Sequence, residues 1–226
     1  MDKRYAEGLS RREFLGGLVL AGAAGFLGLR PELVAAEPPP ETTTLRLGQY
    51  PALCWAPQYA AEELLRGEGF TDVQYIKKES AVAAYLALAS GEVHINMHYA
   101  APAIIRVDAR DPIVILSGGH VGCLELFGTE RVHALRDLKG KTVAVFELGS
   151  SLHVFLASML AYVGLDPNKD VNWNTDPPAE VEQLLTQGKI DALMVGPPGP
   201  QVLREKKIGH VIVNSTLDRP WSQYFC

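Results

Sequence analysis

Cysteine is scarce in this chain: Cys54, Cys123 and Cys226 are the only 3 among 226 residues, far apart and without a C-x-x-C. That spacing excludes a disulfide scaffold and offers no zinc, iron–sulfur or haem-attachment motif. An oxidising compartment would allow one disulfide and leave an odd thiol, and buried free cysteine is the plainer expectation. No G-x-G-x-x-G loop is present, so the dinucleotide fingerprint is missing. Basic residues are outnumbered, 21 Lys and Arg to 26 Asp and Glu, for a formal charge of −5. Phosphate neutralisation needs a clustered cationic surface, so no nucleic-acid partner is expected. The apolar run Gly16–Leu29 holds 14 residues, five of them glycine, short of the ~20 that a membrane span needs. What remains is ordinary globular composition, 47% hydrophobic and 21% charged, enough for one large domain or two small ones.

Residues 1–36 have the layout of a signal peptide: a polar start, then Ser10-Arg11-Arg12-Glu13-Phe14-Leu15, then the Gly-rich apolar run, with Val34-Ala35-Ala36 at a cleavage position. The paired arginines before Phe14-Leu15 resemble a bacterial twin-arginine signal, which implies the Tat export machinery as a partner and the periplasm as the destination. Residues 37–43 begin Glu37-Pro38-Pro39-Pro40-Glu41 and form an extended spacer.

From Thr44 onward short apolar runs alternate with segments of helical period. Strands are expected at Leu45–Gly48, Val73–Ile76, Val93–Met97 and Ile113–Leu116, and helices at Ala56–Arg66 and Ala81–Ala89. After Leu138-Lys139-Gly140-Lys141 the rhythm restarts, with strands at Thr142–Phe146, Val171–Trp173, Ile190–Val195 and Val211–Val213. Helices are expected there at Ser151–Val163, Ala179–Gln187 and Pro200–Lys206. Such alternation implies parallel-rich sheets flanked by helices. The halves also align: Leu88-Ala89-Ser90-Gly91-Glu92-Val93-His94-Ile95 matches Leu185-Thr186-Gln187-Gly188-Lys189-Ile190-Asp191-Ala192. The expected organisation is lobe 1 at 44–120, a hinge or crossing segment at 121–140, lobe 2 at 141–213, and the start of a return crossing at 214–226.

In parallel α/β sheets ligands bind beyond the carboxyl ends of the strands. Five loops meet that rule: Tyr50–Pro57, Met97–Pro102, Ser117–Cys123, Glu147–His153 and Gly196–Gln201. Trp55 and Tyr99 could wall a small ligand, His98 and His120 could hydrogen-bond it, and Ser150 and Ser151 at a helix start could cradle an anion or simply cap the helix. Glu147 favours an amine if it faces the cleft and the helix dipole if it does not. None of the five loops contains Lys or Arg, which disfavours a multiply charged anion. His94 and His98 lie on an expected strand without an H-E-x-x-H glutamate, so no metal site is expected, and nothing calls for a cofactor or for catalytic residues.

Several segments resemble one family. They are the Ala-Pro after Trp55, Ser90-Gly91 through Ala101-Pro102, Asp137-Leu138-Lys139-Gly140-Lys141-Thr142-Val143-Ala144-Val145, and Leu184-Leu185-x-x-Gly188-Lys189-Ile190-Asp191-Ala192. Together they look like the periplasmic solute-binding proteins of ABC importers, in the branch serving nitrate, sulfonates, taurine and thiamine-pyrimidine precursors. The resemblance spans 44–226. It implies a type II two-lobe fold that closes on a small-molecule ligand and docks on an inner-membrane permease. It also implies cleft positions for Trp55, His98, Tyr99, His120, Ser150 and Ser151. His94 stands where the family usually has an acidic residue, and the loops lack the Arg that sulfonate binders use.

The expected role is therefore binding without catalysis, of a nitrate-, sulfonate- or bicarbonate-like anion or a small heterocycle or amine. The alternatives are a pyrimidine-precursor synthesis enzyme of the same fold and a Tat-exported redox protein. In this family the chain returns to its first lobe after the second, so a sequence ending at Trp221-Ser222-Gln223-Tyr224-Phe225-Cys226 is expected to be C-terminally incomplete.

Overall fold

A computed structural model describes residues 40–223 and Cys226. The signal segment, its cleavage point after Ala36 and the first part of the spacer lie outside the described residues. The first sheet pairs β1 (Thr44–Gln49) with β2 (Asp72–Lys77) in parallel, Leu45 opposite Val73 and Leu47 opposite Tyr75. Leu45 and Leu47 point to one face and are buried. Between the strands the expected single helix is two, α1 (Ala56–Ala60) and α2 (Glu62–Gly67). Helix α3 (Ala81–Ala89) has the expected bounds and is capped by Ser80, which accepts from the Ala83 N–H.

Two expected strands do not form ladders. Val93–Met97 makes one parallel bridge, Leu47 to Ile95, and is otherwise held by the Gln58 side chain, which accepts from the Met97 N–H at 3.0 Å. Ile113–Leu116 pairs with no strand among the described residues, and Val114 and Leu116 are more than 70% exposed. Apolar pattern reports a preference for a pleated, buried surface, but a ladder also needs a partner edge. Between these segments the chain forms an unforeseen helix, α4 (Ala100–Asp108). Pro102 read as a loop residue, yet proline in a first helical turn sacrifices no intrahelical hydrogen bond.

The second sheet has the order β5-β4-β6-β3-β7. Strand β4 (Thr142–Ala144) runs parallel to β5 (Asn172–Asn174) and to β6 (Ala192–Val195). Strand β3 (Glu125–Gly128), from the segment expected to cross between lobes, is antiparallel to β6 and to β7 (His210–Asn214), which makes the sheet mixed. Successive residues serve opposite faces. Leu126, Val143, Val145 and Met194 pack with Leu156 and Met159 of α5 (Ser151–Tyr162). Phe127, Ala144, Leu193 and Val195 pack with Val181 and Leu185 of α6 (Pro178–Thr186) and Leu203 of α7 (Gly199–Lys206). A sheet covered on both sides has no polar face, which is why β6 reads as an unbroken apolar run.

The internal repeat reaches individual hydrogen bonds. In the first copy the His94 N–H donates to the Arg46 carbonyl at 2.8 Å and His94 Nδ1 accepts from the Arg46 N–H at 3.3 Å. In the second the Asp191 N–H donates to the Thr142 carbonyl at 2.7 Å and Asp191 Oδ2 accepts from the Thr142 N–H at 3.0 Å. An arginine donates to the repeat glycine's carbonyl in both, Arg46 to Gly91 at 2.9 Å and Arg131 to Gly188 at 2.6 Å. Both glycines have positive φ, 75° and 66°, where a Cβ would be strained. Histidine at 94 does locally what the carboxylate does at 191.

Candidate functional site

An open cleft of about 600 Å³ lies between the loop after β1 and the Pro197-Pro198 loop after β6. Gln49, Tyr50, Leu53, Tyr59 and Lys77 line it. Tyr59 is oriented by donating its hydroxyl to the Tyr50 carbonyl at 3.2 Å and by a ring contact with Tyr75. Lys77 sits at the carboxyl end of β2. Its pairing with Glu79, 3.8 Å apart with both side chains largely exposed, holds it only weakly. The cation absent from the five sequence loops is thus supplied by a strand end. The carboxyl-end rule covers β2 as well, and applied there it would have found Lys77.

The residues singled out from sequence fall into three groups. Trp55 and His98 lie in packed surroundings: Trp55 is 1% exposed, its ring edge-on to His98 at 5.6 Å. His98 stacks on Tyr85 at 3.4 Å, donates from Nε2 to the Ala81 carbonyl at 3.1 Å and accepts at Nδ1 from the Tyr99 N–H at 3.1 Å. Those two bonds specify the neutral Nε2–H tautomer. Burial lowers its pKa to about 4.

The second group caps helices. Ser150 is the N-cap of α5, accepts from the His153 N–H and donates to the Glu147 carbonyl at 2.6 Å. His153 Nδ1 accepts from the Gly149 N–H at 3.1 Å, so the loop already uses part of its anion-binding capacity internally. Glu147 accepts from the Val82 N–H in the first turn of α3 at 3.4 Å, where a negative charge complements the helix dipole. It also lies close enough to Tyr50 to help burial raise the phenol's pKa. Ser151 is buried and lines a small cavity with Tyr99, Gly122, Leu124, Phe155 and Ser215.

The third group is unforeseen in composition. Tyr99 and His120 meet all three cysteines. Tyr99 Oη is 3.2 Å from Cys123 Sγ and 3.9 Å from Cys54 Sγ. The ligating atoms of Cys54, His120 and Cys226 lie within 4.8 Å of one another. None of the three thiols is in a disulfide. Hydrogen bonds from Cys123, Cys226, Tyr99 and His120, resisted by burial, lower the Cys54 pKa to about 2. Cys226 is pushed the other way, up, by its bonds to Cys123 and Cys54 and by burial. Cys54 and Cys123 were in the sequence loops, but spacing along the chain carries no trace of their convergence.

The family model described as the NMT1-like family matches residues 38–221. The chain is 28% identical over 163 residues to the taurine-binding periplasmic protein of Escherichia coli (strain K12), covering 71% of this chain and 50% of that one. The alkanesulfonate-binding protein of Xanthomonas axonopodis pv. citri bound to MOPS superposes with a TM-score of 0.58 at 22% identity, over 77% of this chain and 62% of that one. The periplasmic nitrate-binding protein of Synechocystis PCC 6803 gives 0.57 at 21%, over 79% and 53%. The fold they share with this chain is the α/β type II periplasmic-binding-protein fold expected from the sequence. The chain spans about half the length of the curated relative it matches.

Proposed function

The chain belongs to the NMT1-like family, and from that premise we propose that it is the substrate-binding component of an ABC importer. Exported by the twin-arginine machinery, it holds a small solute in the periplasm between lobes 44–120 and 141–213. Closure about the chain that joins the two sheets presents it to a membrane permease, without catalysis. The observation that carries this reading is the cleft at the strand ends, with one weakly held lysine, two tyrosines and a glutamine facing a proline loop of the other sheet. One exposed cation suits a monoanion or the anionic end of a zwitterion. Glu147, near Tyr50, suits an amine at the other end, and taurine, named for the curated relative, pairs a sulfonate with such an amine.

A thermal-shift panel of nitrate, bicarbonate, taurine, alkanesulfonates, amino-pyrimidines and amines tests it, since a ligand bound only by the folded state raises Tm. At least one compound is expected to give a saturable rise. Lys77→Ala should weaken that compound by about 10-fold or more, the scale of one charge-assisted hydrogen bond. No shift across the panel together with turnover of any member overturns binding without catalysis. An unchanged affinity in Lys77→Ala moves the site elsewhere.

A further inference from the structure

We propose that Cys54, Cys123, Cys226 and His120 form a binding site for a thiophilic d¹⁰ cation, Zn²⁺ or Cu⁺, separate from the solute cleft. Four residues from three stretches of chain converge. Cys54 comes from the 3₁₀ turn Leu53–Trp55, His120 and Cys123 from the junction loop, and Cys226 from the chain end. In a tetrahedral zinc site, Zn–S bonds of about 2.3 Å place sulfur atoms about 3.8 Å apart. The ligating atoms of Cys54, His120 and Cys226 already fall within 4.8 Å of one another, so rotamer adjustments of about an ångström bring them to bonding positions. Cys123 lies beside these three: its Sγ is 3.2 Å from the Tyr99 hydroxyl, which is also 3.9 Å from Cys54 Sγ, and it supplies the fourth donor.

Two further observations point to a ligand. His120 Nε2 is buried with no hydrogen-bond partner, and a buried imidazole nitrogen left unpaired is costly. A cation bound at Nε2 satisfies it, leaving Nδ1 as the ring's other nitrogen. The backbone also fixes the donors before any ion arrives. The Cys226 N–H donates to the His120 carbonyl at 3.0 Å and the Gly119 N–H donates to the Cys226 carbonyl at 2.6 Å, which clamps Cys226 beside His120. Cys123 has φ 108°, a conformation L residues rarely adopt, and such strain persists where the surrounding structure over-determines a position. Tyr99 Oη, 3.2 Å from Cys123 Sγ, is placed to donate to a coordinated thiolate.

Three sulfurs and one imidazole form the donor set of zinc and cuprous sites, and hard cations such as Mg²⁺ and Ca²⁺ want oxygen. Binding is acid–base in character: each coordinating thiol loses its proton to solvent, metal–sulfur bonds form, and nothing is oxidised or reduced.

The experiment uses the reduced, metal-free full chain. It is titrated with Zn²⁺ against a chromophoric chelator, with Cu⁺ against bathocuproine under anaerobic conditions, and with Co²⁺ as a spectroscopic probe. The expected result is one equivalent of Zn²⁺ or Cu⁺. Cys54→Ser and His120→Ala should weaken it by more than the ~10–100-fold that losing a supporting hydrogen bond costs, and Tyr99→Phe by an amount within that range. Co²⁺ on the unaltered chain should show thiolate charge-transfer bands and intense tetrahedral d–d bands, a readout that needs no variant to fold. The proposal is overturned by zinc and copper binding no tighter than in the Cys54→Ser, Cys123→Ser, Cys226→Ser triple variant, by Co²⁺ bands of octahedral type, or by a disulfide between two of these cysteines in the isolated protein. Because no solute is needed, failure here leaves the solute reading standing, and the reverse holds as well.

Discussion

His98 ties packing to pH. Its ring is held between Tyr85 and Trp55 with both nitrogens committed to backbone groups, so protonating Nδ1 would lose the Tyr99 bond and bury a charge. Of the titratable groups around it, Tyr85 stays protonated with its pKa raised by burial, and Cys54 acts in the opposite sense, raising the His98 pKa. The net folded value of about 4 lies below the unfolded value of about 6.5. The unfolded chain therefore binds more protons between those values, and stability, full above pH 6.5, falls as pH drops towards 4. The loss attributable to this residue is about 3 kcal/mol across that window. Urea unfolding at pH 7.5 and pH 4.5 should show the drop, and His98→Gln, which keeps a donor and an acceptor, should flatten it. A variant with the same slope would assign the pH response elsewhere. Residue identity made His98 visible in the sequence, but its role was not legible, because a histidine in a strand-end loop looks the same whether it faces solvent or a Tyr–Trp pocket.

The repeated turn makes the sequence most legible among the elements. Gly91 and Gly188 end α3 and α6 at matching places, and the following residue pairs place His94 and Asp191 in one hydrogen-bonding role. The consequence for stability differs between copies. Asp191 is buried, and removing its carboxylate leaves the Thr142 N–H without its partner, so Asp191→Ala should cost about 2 kcal/mol. Asp191→Asn should cost less than half as much, because the amide oxygen still accepts. What Asn loses is the 2.8 Å pair with Arg131, whose side chain is 52% exposed and therefore screened. His94 is exposed, water can replace it at the Arg46 N–H, and His94→Ala should cost under about 1 kcal/mol. Denaturant midpoints at constant m would check the order Asp191→Ala, Asp191→Asn, His94→Ala, and a larger loss in His94→Ala would break the equivalence. Helix α4 and strand β3 were not legible because each depends on tertiary partners. Pro102 is tolerated by position within a turn, and Glu125–Gly128 is short and becomes a strand by insertion between β6 and β7.

At the scale of the whole molecule the two sheets are unequally covered. The five-stranded sheet is packed on both faces. Beside the two-stranded sheet, the segment Val93–Met97 and helix α3 border a groove of about 590 Å³ lined by Tyr85, Leu88, Val93, Ile113, Val114 and Leu116. Along it Val114, Ile115 and Leu116 are 50–76% exposed. Contiguous apolar surface of this kind is uncommon on soluble proteins and attracts hydrophobic probes. The sequence signalled Ile113–Leu116 as an apolar strand; what it could not say is that no neighbouring strand among the described residues would receive it. The chain should therefore enhance Nile red fluorescence, a neutral probe with no anionic group to enter the Lys77 cleft. Val114→Glu with Leu116→Glu should abolish most of that enhancement while changing stability by no more than about 0.5 kcal/mol, since each side chain is more than 70% exposed and little packing is lost. Undiminished Nile red binding in the double variant would place the probe elsewhere, and a large drop in Tm would mean that these side chains are packed in solution.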